Sequence, residues 1–108
     1  GPVYVSLGIG YIELAKSERN LFELIACLDD FEADDVNAFL YRGDMEELLD
    51  RLPDETGLSR EQRRELLLLM WMFSHGIATL VTGKRVSLND KELRRLLTKA
   101  YDSFRAKI

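Results

Sequence analysis

Between Leu66 and Gly83 the chain reads LLLLMWMFSHGIATLVTG, a stretch with almost nothing polar in it. Eight consecutive apolar residues, Leu66 to Phe73, follow a charged lead-in, Ser59-Arg60-Glu61-Gln62-Arg63-Arg64-Glu65. That run covers more than two helical turns, so apolar side chains point to every side, and a helix apolar all round is a buried one. A membrane span is the competing reading. It needs about 20 predominantly apolar residues, whereas His75, two glycines and two threonines interrupt this stretch and Lys84-Arg85 ends it. The segment therefore reads as a central core helix with no solvent face and no membrane partner, around which other helices pack.

A chain of 108 residues has room for one domain with one modest core. With 46% apolar and 31% charged residues it belongs among globular chains. The net charge of −4 offers no basic field for phosphates, which argues against direct nucleic-acid binding by these residues. The lone cysteine, Cys27, has no intrachain disulfide partner. Its neighbours Ile25, Ala26 and Leu28 point to a reduced, buried thiol in a cytoplasmic protein. No signal peptide is visible. The Gly1-Pro2 start is what a cleaved expression tag leaves behind, so the chain is expected to be a piece of a longer protein.

Two prolines and little period-2 alternation leave helix as the default, punctuated by Gly, Asn and Pro. The expectation is an all-α bundle of five or six helices with no sheet. From Pro2 to Lys16, apolar rows at Val5, Ile9 and Ile12 and at Tyr4, Leu7, Tyr11 and Leu14 make a wide arc. Gly8 and Gly10 each cost up to about 1 kcal/mol in a helix interior; they either admit a close neighbour or leave space in the core. Asn20 caps a short helix from Leu21 to Leu28, and the acidic run DDFEADD that follows lacks the glycine and terminal Glu of a calcium loop. It reads as a solvated helix start ahead of Val36, Phe39 and Leu40, and no metal site is expected. Asp44 with Glu47, Ser59 with Gln62 and Asn89 with Glu92 are three capping boxes. They start a helix with the row Met45, Leu48, Leu49 and Leu52, then the central helix, then the last one. Gly83 is the expected end of the central helix.

Catalytic arrangements are scarce. One His, one Cys, no phosphate loop and no carboxylate pair in an apolar setting argue against an enzyme, and no cofactor is implied. His75 follows Trp71 by four residues, so both project from one side of the helix. Either His75 is a core histidine held through one ring nitrogen, or it is a polar handle in a ligand cavity. Such a cavity would be lined by Tyr11, Phe22, Trp71 and His75 and measure about 300 Å³ or more. A second stripe of the central helix, Met72, Gly76, Thr79 and Gly83, is small except at its head. It serves either tight packing inside the protomer or a two-fold pairing between chains. The apolar arc of the last helix spans about 140°, wider than one neighbour needs. That surplus favours a homodimer joined through the stripe and through Leu93, Leu97, Ala100 and Phe104.

The segment MWMFSHGIATLVTG, with Trp71, His75-Gly76 and Ile77-Ala78-Thr79-Leu80, resembles the penultimate helix of the C-terminal domain in the tetracycline-repressor (TetR/AcrR) family of bacterial transcription regulators. YIELAKSERNLFELI, TGLSREQRRELL and LNDKELRRLLTKAYDSF resemble other parts of that domain, so the likeness covers nearly the whole chain. It implies that residues 1–108 are an effector-binding and dimerisation domain whose last two helices pair with a second subunit. A small hydrophobic or amphipathic molecule would bind among the other helices and alter the spacing of N-terminal DNA-binding heads. No helix-turn-helix segment is present in this sequence, so DNA would be bound only through that missing domain. The alternative is a helical dimerisation module with no ligand, its aromatics all plain core.

Overall fold

In a computed structural model of the chain, residues 2–18, 43–53 and 57–108 are described. They form four α-helices, and no strand occurs among them: α1 (Val3–Ser17), α2 (Gly43–Arg51), α3 (Arg60–Thr82) and α4 (Asp90–Lys107). The all-α expectation holds for these residues. The helices expected over 21–28 and 36–40, with Phe22, Cys27 and the acidic run, lie outside them, as does the side chain of Asp44.

Two of the three capping boxes set the frame. Ser59 Oγ accepts from the Gln62 amide at 3.1 Å and Gln62 Oε1 accepts from the Ser59 amide at 3.0 Å, which starts α3. Asn89 Oδ1 accepts from the Glu92 amide at 2.8 Å, and Glu92 returns the bond at 3.5 Å, which starts α4. Helix α3 ends at Gly83 as expected, the residue that caps it after Thr82. The left-handed residue is Lys84, with φ 59°, while Gly83 keeps φ −77°. Because α3 runs on to Thr82, the Lys84 amide reaches the Val81 carbonyl (3.1 Å) and the Arg85 amide the Leu80 carbonyl (3.0 Å). This pair of bonds closes a Schellman-type end one residue later than the glycine.

The 23-residue α3 is the centre of the packing. Leu66, Leu67, Met70, Ser74, Ile77 and Ala78 are buried against α1 and α4. By length and composition α3 would pass for a membrane span, yet 44% of its most apolar window is buried inside the protein. It is not buried all round, however. Met72 is 50% exposed, Leu80 is 45% exposed, and Gly76, Thr79 and Gly83 are exposed beside them. The residues 66–73 are uniformly apolar, but the buried side is selected by neighbours, not by the helix itself.

Helix α1 packs on α3 and α4 and buries Tyr4, Val5, Gly8, Ile12 and Ala15. Gly8 marks the close approach: a methyl group there would stand 2.7 Å from Ser74 Oγ and 3.1 Å from Leu97 Cδ2. Leu7 and Leu14, expected in the apolar arc, are exposed instead. Helix α4 packs against α1 and α3 at once. Its wide arc is therefore used within the protomer, with Leu93, Leu97, Ala100 and Tyr101 buried and Tyr101 stacked 6.0 Å from Tyr4. This corrects the expected interface set: Leu93, Leu97 and Ala100 are core residues of one chain. Phe104 remains half-buried, edge-on to Phe73 at 6.3 Å.

Ion pairs hold α2 to the first turns of α3, where the sequence reads as a charged lead-in. Arg64 is only 4% exposed and reaches Glu46 and, at 2.6 Å, Glu61. Arg60 contacts Glu46 at 2.8 Å and Asp50 at 2.8 Å. Hydrogen bonds from Arg60, then Arg64, hold the Glu46 carboxyl below the usual range, while its partners stay firmly protonated. Leu49 is buried beside this cluster, with Leu48 and Leu52 half-buried.

Candidate functional site

A cavity of about 180 Å³ opens between α1, α2 and α3. The α1 side contributes Tyr4, Leu7, Gly8 and Tyr11; α3 contributes Leu67, Met70, Trp71 and Ser74; Leu48 closes it from α2. The spacing 67, 70, 71, 74 is one side of a helix, and 4, 7, 8, 11 is the same pattern on α1. Two facing helical rows, with a glycine where their backbones come nearest, leave a narrow apolar slot with few polar groups in it.

Of the four residues expected to line a cavity, Tyr11 and Trp71 do. Phe22 lies outside the described residues. His75 does not line it, and the space is smaller than the expected 300 Å³. One residue on from Ser74 is about 100° further round the helix, which turns His75 towards Tyr11 instead. The Tyr11 hydroxyl and His75 Nδ1 lie 2.7 Å apart, and the imidazole stacks on Trp71 with ring centres 5.2 Å apart and planes 15° from parallel. Burial pushes the Tyr11 hydroxyl up and holds the His75 imidazole below the ordinary histidine value. With the phenol protonated and the imidazole neutral, the hydroxyl donates to Nδ1 in the Nε2–H tautomer and accepts from it in the Nδ1–H tautomer. His75 thereby fixes the cavity wall from behind, through Tyr11 and Trp71.

The residue that sequence reasoning passed over is Ser74. It is 2% exposed, and its Oγ has no hydrogen-bond partner among the described residues. The signal was available: Ser74 follows Leu67 by seven and Met70 by four, which places a hydroxyl on the buried row of an otherwise apolar helix.

On the other side of α3 the exposed stripe Met72, Gly76, Thr79 and Gly83 runs along the surface, flanked by Leu80. Nothing lies within 4 Å of where a Gly76 side chain would begin. Tight packing inside the protomer therefore does not explain this glycine. At 100° per residue the centre of this stripe lies about 160° from the centre of the cavity row.

A larger, shallower groove of about 430 Å³ lies at the α3–α4 turn beside Lys16, Lys84 and Arg85, whose side chains are exposed. Among the described residues no group of three His, Cys, Asp or Glu side chains is placed to hold a metal ion. Searched against family models, curated proteins and solved structures, the chain matches none of them.

Proposed function

We propose that this chain is the effector-sensing and dimerisation domain of a DNA-binding transcription regulator, responding to a small hydrophobic molecule. The observation that carries the reading is the two-sidedness of α3. One row, Leu67, Met70, Trp71 and Ser74, walls an apolar cavity, and the opposite row, Met72, Gly76, Thr79 and Gly83, is an exposed strip of mostly small residues. A ligand wedged between α1 and α3 pushes on the same rigid helix that a second subunit would pack against. Sensing and assembly are then coupled through one element, as a ligand-responsive dimer requires. The likeness of Trp71-x-x-x-His75-Gly76 and the helices around it to the tetracycline-repressor family supports the same reading. It adds the expectation of a DNA-binding head outside this chain.

Trp71 is the single tryptophan, and it lines the cavity. Titration with p-xylene is expected to give a saturable change in its fluorescence and a rise in melting temperature, because a ligand that binds only the folded form stabilises it. Unaltered fluorescence and melting up to the solubility of p-xylene would leave the domain a dimerisation module alone.

A further inference from the structure

We infer that the groove beside the ends of α1 and α3 is a second binding site, separate from the cavity, and that it takes a phosphate monoester carrying a small apolar group. Lys16 reaches it from the last turn of α1 and Val81 from the last turn of α3, while Lys84, Arg85, Val86 and Leu88 come from the turn into α4. Its volume of about 430 Å³ falls within the range of small-molecule sites. Three exposed cations border it, and no carboxylate lies among its described lining residues. In a chain of net charge −4 this is a local reversal of sign. None of Lys16, Lys84 and Arg85 forms an ion pair with a described residue, so their charge is open to a ligand.

The backbone at Lys84 points the same way, independently of charge. Among the described residues it is the only one other than glycine with a left-handed φ, 59°. At a helix end that conformation belongs to glycine, because a Cβ there crowds the following carbonyl. Gly83 stands immediately before it with an ordinary φ of −77°. Ending α3 is better served by glycine at 84, and attraction between cations and the helix C-termini is already supplied by Lys16 and Arg85. A lysine kept at a strained position therefore marks a use for its side chain. The ligand class follows from what surrounds it. A phosphate monoester above its second pKa of about 6 carries two negative charges, which three cations balance, and the planar fork of Arg85 suits two phosphate oxygens. Val86 is exposed and Val81 and Leu88 are half-buried in the same groove, so an ester group covers apolar surface that inorganic phosphate leaves in water.

The test titrates the isotopically labelled chain with phenyl phosphate and with inorganic phosphate, following amide resonances by heteronuclear NMR. Phenyl phosphate is expected to bind more tightly than inorganic phosphate, with saturable shifts at Lys16 and over residues 81–88 that weaken as salt is added. Lys84→Gly is expected to weaken phenyl phosphate by about three- to tenfold, the size of one partly screened charge contact. Without ligand, the same variant is expected to melt at a higher temperature than the parent, because glycine relieves the left-handed position; loss of binding then cannot come from unfolding. Arg85→Gln is expected to weaken binding as well. Flotation with phosphatidylcholine vesicles, with and without phosphatidic acid, separates the sources of the ester: capture by phosphatidic acid without binding of phenyl phosphate assigns it to a lipid, and the reverse to a soluble metabolite. Binding of neither probe, equal affinity in the parent and Lys84→Gly, or a lower melting temperature of the empty variant would overturn the site.

Discussion

Two glycines two positions apart in sequence stand at opposite extremes of packing. At Gly8 an added methyl group would press on Ser74 Oγ at 2.7 Å and Leu97 Cδ2 at 3.1 Å, whereas at Gly10 nothing lies within 4 Å. Gly8→Ala is therefore expected to destabilise the domain by about 1–3 kcal/mol through overpacking. Gly10→Ala is expected to stabilise it by about 0.5–1 kcal/mol, since an exposed helical glycine only loses entropy on folding. Urea unfolding of both variants checks the opposite signs. His75 provides a pH dependence at the same scale. Burial depresses its proton affinity in the folded state, so between its folded value and the ordinary value of about 6.5 the unfolded chain binds more protons. The stability tied to neutral His75 is complete above about pH 6.5 and is lost as pH falls through the depressed folded value. His75→Gln, which keeps an amide near Tyr11 but does not titrate, is expected to flatten that limb of a melting-temperature profile. A profile identical in both proteins between pH 7 and 5 would remove His75 from the account.

At the scale of elements, the packing of α2 turns on Glu46. It faces both Arg60 and the buried Arg64, while its neighbour Glu47 pairs only with Arg51 in solvent, at 2.6 Å with both side chains mostly exposed. Removing the partner of a buried cation costs far more than losing an exposed pair. Glu46→Ala is therefore expected to lower the melting temperature by several degrees and Glu47→Ala by almost nothing, as differential scanning calorimetry would show. The helices themselves were legible in the residues: Ser59 with Gln62 and Asn89 with Glu92 announce their caps, and the apolar rows give the buried sides. Arg64 was not legible in this way, and Ser74 only through its spacing from Leu67 and Met70. Polar types are placed outside by default, and the position of Glu46, distant in sequence, is what shows that Arg64 is inside. The arc of α4 misled for a related reason. Its width reports how many neighbours it has, and both proved to belong to the same chain.

At the scale of the whole molecule, the proposed function gives the two faces of α3 different partners. One faces a cavity within the protomer. The other, with Met72, Gly76, Thr79, Gly83 and Leu80 exposed and Phe104 half-buried on α4, is on the proposed reading the face for a second copy. Losing Leu93, Leu97 and Ala100 to the core concentrates that role on α3. The open space above Gly76 lets assembly be separated from folding, because a side chain starting there meets none of the described residues within 4 Å of its Cβ but would hold a partner helix away. Sedimentation equilibrium at micromolar concentration is the direct measurement. The account expects the parent chain at about twice its mass of 12.5 kDa and Gly76→Leu at the monomer mass with unchanged helical circular dichroism. A parent chain that sediments purely as a monomer, or a Gly76→Leu variant that remains fully dimeric, would contradict it.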